Sequence, residues 1–84
     1  MRDNMKVDFI AELTCLIMSE FQRHGFRVEI EPDIVRIYAL GSFVGYVILH
    51  DDYLLIAVVR PSRHEYIHVD YVDFELNKLV DYFG

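Results

Sequence analysis

The stretch FVGYVILHDDYLLIAVVR, residues 43–60, decides the architecture. Asp51-Asp52 divides it into two apolar runs of strand length with a tight turn between them. So short a connection cannot make a parallel crossover, so the runs pair antiparallel. The unusual feature is their alternation. In the first run Val44, Tyr46 and Ile48 fall on one face and Phe43, Val47 and Leu49 on the other. In the second, Leu54, Ile56 and Val58 oppose Tyr53, Leu55, Ala57 and Val59. Strands apolar on both sides are normally covered on both sides. Two layers must therefore shield this hairpin: one helix on each face of a monomer, or helices on one face and a second molecule on the other.

Working outward, Phe26-Arg27-Val28-Glu29-Ile30-Glu31 alternates apolar and charged residues, the pattern of a strand with one wet face. Glu31-Pro32-Asp33 is turn chemistry, and Ile34 to Leu40 resumes as a strand that ends at Gly41-Ser42. Pro61 closes the last of four strands, and Glu65 to Val69 reads as a fifth short strand or an extended lead-in. Before the sheet, residues 5–24 carry Ile10, Leu13, Ile17 and Phe21 at helical spacing, with Phe9 and Leu16 at the margin. Asp3 or Asn4 is placed to cap that helix and Gly25 to end it; Met1 to Asn4 is polar and expected to fray. Asp70, with Asp73 three residues on, reads as the N-cap of a final helix reaching Phe83, its core stripe being Val72, Leu76, Leu79, Val80 and Phe83. The expected fold is α+β: an antiparallel four-stranded meander (five-stranded if 65–69 pairs) flanked by N- and C-terminal helices, in the order α-β-β-β-β-α, as one domain over residues 1–84.

Composition points the same way. Eighty-four residues bury only about 60% of their unfolded surface, yet 54% of this chain is apolar. That is more hydrocarbon than a small monomer hides easily, and a partner subunit is the usual remedy. Fourteen acids against eight Lys and Arg leave a formal charge of −6, which repels phosphate backbones at long range. A single cysteine, Cys15, excludes an internal disulfide, fits a reducing compartment and reads as a small buried side chain. No signal-peptide pattern or membrane-length apolar run is present, so the expected location is cytoplasmic. Richness in Val, Ile, Tyr and Arg is compatible with a thermophilic source.

Several clusters carry chemistry. His50, His64, His68 and Asp70 could ligate a metal, but their spacing matches no closed tetrahedral motif and no second cysteine joins them. No nucleophile elbow or phosphate-cradling glycine loop is present, so no catalytic residue and no cofactor is expected. Arg36, Arg60 and Arg63, with Tyr38, Tyr46, Tyr53 and Tyr66 as stacking surfaces, form the weak candidate for nucleic acid. Glu20, Gly25-Phe26-Arg27-Val28 and Pro32-Asp33-Ile34-Val35 faintly resemble the opening of the endonuclease-like core of archaeal Holliday-junction resolvases. That family's Glu-x-Lys signature is missing from Gly45 to Leu49, so no catalytic residue carries over. Glu20 lies within the apolar arc of the first helix and reads as a helix-edge acid.

The expected function is a protein-binding or regulatory module, self-associating as a homodimer through one apolar sheet face. The candidate interface residues are Tyr46, Ile48, Leu54, Ile56, Val58 and Phe74, or the opposite-face neighbours. The alternatives are a nucleic-acid-binding accessory protein and a small metal-dependent hydrolase or nuclease-like enzyme. Another protein is a further expected partner; nucleic acid and membrane are not.

Overall fold

The computed structural model describes the backbone of residues 2–84 and the side chains from Asp8 onward. Helix α1 (Arg2–Arg23) leads into β1 (Arg27–Glu31), β2 (Ile34–Ala39), β3 (Ser42–Leu49), β4 (Tyr53–Val59) and β5 (His64–Asp70). A 3-10 turn (Tyr71–Asp73), a short helix α2 (Leu76–Leu79) and a second 3-10 turn (Val80–Phe83) close the chain. The five strands form one open antiparallel sheet in the order β1-β2-β3-β4-β5. The α+β meander is as the sequence indicates, and residues 64–70 are a true fifth strand.

Local chemistry sets the boundaries. Gly25, separated from the end of α1 by His24, takes φ +91°, a conformation open to glycine and costly for other residues. The β2–β3 turn uses two consecutive left-handed residues, Leu40 (φ 53°) and Gly41 (φ 80°), which matches the twist of a tight hairpin. The turn thus sits one residue earlier than Gly41-Ser42, and β3 begins at Ser42. Helix α1 is already formed at Arg2, upstream of Asp3 and Asn4, so neither is its N-cap; their side chains, and Met1, lie outside the described residues.

Both helical segments pack on the same face of the sheet. The core joins Leu13, Ile17 and Phe21 of α1 and Leu79, Val80 and Phe83 of the C-terminal segment to Val35, Ile37, Val47, Leu49, Leu54, Ile56 and Val58. Phe21 is fully buried, with its ring edge-on to Phe26 and Phe83 at 5.4 and 5.3 Å between centroids. The architecture is therefore two-layered, and the three-layer monomer with one helix on each face is not what the chain adopts.

Four further sequence readings are corrected. Asp70 does not cap a long helix. It ends β5, its side chain makes no cap hydrogen bond, and its carboxylate lies 3.0 Å from His68 Nε2. The final helix is correspondingly broken, and Val72, assigned to its core stripe, is 92% exposed. Cys15 is exposed on α1, because the core stripe of that helix runs through Leu13, Ile17 and Phe21 and leaves position 15 outside it.

A bulge in β3 corrects the fourth, the faces assigned to Phe43 and Val44. Ile37 pairs with Gly45 but Tyr38 pairs with Phe43, leaving Val44 as an extra residue. The bulge moves Phe43 to the face of Tyr38 and Tyr46, and Val44 packs against the core instead. Gly45 lies deep in the covered face with φ +150°.

Candidate functional site

The strand register assigns every sheet residue to a face. Since Val35, Ile37, Val47, Leu54, Ile56 and Val58 lie beneath the helices, the opposite face is built from three rows. One row runs Glu31, Ile34, Ile48, Leu55, His68. The next runs Glu29, Arg36, Tyr46, Ala57, Tyr66. A third begins Arg27, Tyr38, Phe43, and the pairs Tyr53–Asp70 and Val59–His64 complete the surface. The middle strands thus present an apolar and aromatic field, with charged residues along both edges.

No helix or turn among the described residues covers this face. Ile34, Tyr38, Tyr46, Ile48, Tyr53, Leu55 and Val59 are half-buried, while Phe43 and Tyr66 are 39% and 60% exposed. What burial they have is lateral, side chain against side chain across the pleat. Tyr38 and Phe43 have ring centroids 5.4 Å apart, and Phe43 stacks on Tyr46 at 6.3 Å. Tyr46 and Tyr66 flank Ala57 in their row, and Ala57 is only 1% exposed. Burial, with the neighbouring Tyr66, raises the pKa of Tyr46 above the ordinary tyrosine value.

The edge charges are paired within the chain. Arg27 reaches Glu29 at 3.2 Å and lies over the Tyr38 ring at 4.2 Å, and Arg36 pairs with Glu31. The Tyr38 hydroxyl donates to Glu29 at 2.9 Å; that bond, with Arg27, holds the Glu29 carboxyl below its usual range, and the same bond raises Tyr38 against the opposing charge of Arg27. At the other edge His68 pairs with Asp70, and Tyr53 is sandwiched between His50 at 4.5 Å and His68 at 4.0 Å. Tyr71 donates a 2.6 Å hydrogen bond to the His50 carbonyl.

The named candidates separate on this geometry. Tyr46 and Ile48 lie at the centre of the bare face. Leu54, Ile56 and Val58 are 0%, 0% and 3% exposed beneath the helices, so they cannot share a surface with Tyr46. Their bare-face neighbours Leu55 and Ala57 pair with Ile48 and Tyr46 instead. Phe74, in the extended link after the first 3-10 turn, packs against the core. For the metal candidates, the Tyr53 ring separates His50 from His68, and His64 is four strand residues, roughly 13 Å, from His68. No group of three such side chains converges among the described residues. Of the nucleic-acid candidates, Arg36 is on the bare face, while Arg60 and Arg63 sit at the β4–β5 turn on Glu65, at 3.6 and 3.1 Å.

Glu20, at 8% exposure, accepts bonds of 2.7 and 2.9 Å from Arg23 and lies 3.3 Å from His24. Its carboxyl is held below the usual value, chiefly by the Arg23 hydrogen bond and against the opposing cost of burial. A lowered folded-state pKa gives stability that is fully present above the unfolded value of 4.5 and lost as pH falls through the folded one. Glu20→Gln is therefore expected to lower the melting temperature at pH 7, with a smaller gap to the parent at pH 3. Thermal unfolding at the two pH values checks this; an equal gap at both would show that the ion pair contributes nothing.

Among the described residues no helix is long and apolar enough to cross a membrane. No family model matches the chain, and no curated protein or solved structure matches it significantly.

Proposed function

We propose that this chain is a protein-binding or regulatory module that self-associates face to face through the bare side of its sheet. One observation carries the reading: both helical segments pack on one face, leaving Tyr38, Phe43, Tyr46, Ile48, Leu55 and Tyr66 as a continuous apolar field on the other. Contiguous patches of this kind mark interaction sites.

Magnitudes favour a moderate dimer. Five strands of this length spaced about 4.8 Å apart present a face on the order of 450 Å². Two such faces bury about 900 Å², below the roughly 1,200–2,000 Å² of standard interfaces. Only the apolar part of that area gains about 25 cal/mol per Å², so the ~20 kcal/mol obtained by counting all of it is an upper bound, set against an association cost of ~4–15 kcal/mol. The side chains are already partly buried by one another, so the expected Kd is on the order of micromolar. On the face itself Arg27 and Arg36 are neutralised by Glu29 and Glu31, so the charge that opposes the contact is the net −6 of each copy, which salt screens. A second copy also fits the preference of soluble oligomers for twofold homodimers.

Leu55→Lys places an ammonium at the centre of the face and leaves the core untouched. Light scattering across the micromolar range should give a mass that rises with concentration for the parent and stays near 10 kDa for the variant, with unchanged circular dichroism. A parent that remains at 10 kDa throughout would defeat the proposal.

The stacking of Arg27 on Tyr38 beside Phe43 and Tyr46 supports a second reading, a platform for single-stranded nucleic acid. The carboxylates paired to both arginines weaken it. A shift assay showing tight, steeply salt-dependent binding would reverse that ranking.

A further inference from the structure

The bare face has relief. Ile34, Arg36, Phe43, Tyr46 and Ile48 border an open hollow of about 290 Å³ over β2 and β3. An apolar cavity of about 150 Å³ holds a benzene ring, so this hollow has room for a phenol. Toward β5 the same face rises to Tyr66, its most exposed large side chain at 60%. Tyr66 shares one row with Arg36, Tyr46 and Ala57, so the projection and the hollow lie at the same height along the strands.

Two sheets packed face to face with their strands aligned can be related by a twofold axis that runs across the strands or along them. An axis across the strands lays each strand over its own copy. Depending on the row it follows, it sets Arg36 on Arg36, Glu31 on Glu31 or Glu29 on Glu31, and like charges in contact are repulsive. An axis along the strands keeps every residue in its row and reverses the strand order. Passing between β3 and β4, it lays β4 over β3 of the other copy and β5 over β2, and it leaves the charged strand β1 outside the contact. Ile48 then faces Leu55, and Tyr66 faces Arg36 at the hollow. A tyrosine ring over a guanidinium is attractive.

We infer that two copies pack about this second axis, with Tyr66 of each seated in the hollow of the other against Ile34, Arg36 and Ile48. The contact is isologous, so both hollows fill at once. An aromatic side chain desolvated in a pocket carries a large share of an interface's energy, which makes Tyr66 the anchor of the contact. This inference rests on the self-association proposed above and adds the orientation and the anchoring residue.

An equal mixture of isotopically labelled and unlabelled parent chain, at a concentration where light scattering gives the mass of two chains, tests this by isotope-filtered nuclear Overhauser spectra. Contacts between copies are expected from the Tyr66 ring to the Ile34 and Ile48 methyls, and from Ile48 to Leu55. Within one chain Tyr66 and Ile34 lie three strands apart, roughly 14 Å, so their contact can arise only between copies. Tyr66→Ala should raise the dissociation constant of the dimer by about tenfold or more, with unchanged circular dichroism. Tyr66→Phe keeps the ring and should stay within about threefold of the parent. A dimer that lacks the contacts of Tyr66 with Ile34 and Ile48, that joins Tyr66 to Tyr66 or His68 to His68, or that is indifferent to Tyr66→Ala would overturn the inference and leave self-association standing. A parent chain that stays monomeric would overturn both.

Discussion

Gly45→Ala is expected to destabilise the chain by about 3–5 kcal/mol, close to the whole stability of a domain this small. A methyl at this position would lie 2.1 Å from the Ala57 carbonyl oxygen and 2.5 Å from Phe83 Cε2, and the first of these is backbone. The φ of +150° is itself unfavourable for a side chain. Relief would require β3 and β4 to part or Phe83 to leave the core, and Phe83 anchors the C-terminal segment against Phe21. Each kcal/mol lowers the melting temperature of such a chain by about 4–8 °C. A variant that melts within a few degrees of the parent would show that Gly45 does not hold the bulge as described.

Phe21→Ala should be nearly as damaging, at about 3–5 kcal/mol. Phe21 is fully buried where α1, Phe26 and Phe83 meet, so its removal leaves a cavity bounded by three separate parts of the chain. Phe21→Leu keeps most of that volume and should cost roughly half as much. Chemical denaturation of both variants tests the ordering. Equal losses would mean that the site collapses freely, contrary to the packing seen.

Much of this fold is legible in the sequence because local chemistry and global topology agree. Pro32-Asp33, Gly41 and Asp51-Asp52 punctuate the chain at intervals that allow only hairpins. Leu13, Ile17 and Phe21 repeat at helical spacing and are the residues of α1 in the core. The C-terminal segment reads less well. Asp70 and Asp73 have the spacing of a capped helix start, but pairing with Tyr53 holds Asp70 in β5, and the helical signal yields only short turns.

The candidate site was half legible. That residues 43–59 are apolar on two faces is plain from alternation alone. Which faces combine is a matter of register. Tyr46 pairs with Ala57 and Ile48 with Leu55, and no periodicity within a single strand conveys that. The bulge at Val44 is equally silent, since Phe43-Val44-Gly45 reads as ordinary strand until Gly45 is seen to carry a backbone angle that glycine accepts most readily.

The central claim is that the bare sheet face is where two copies meet, and amide chemical shifts followed on dilution of the unmodified chain test it most directly. The account predicts concentration-dependent shifts clustered on Ile34, Tyr38, Tyr46, Ile48, Leu55 and Tyr66, fading together as the protein becomes monomeric. Shifts that stay constant over the same range, or that gather on α1 and the C-terminal turns instead, would contradict it.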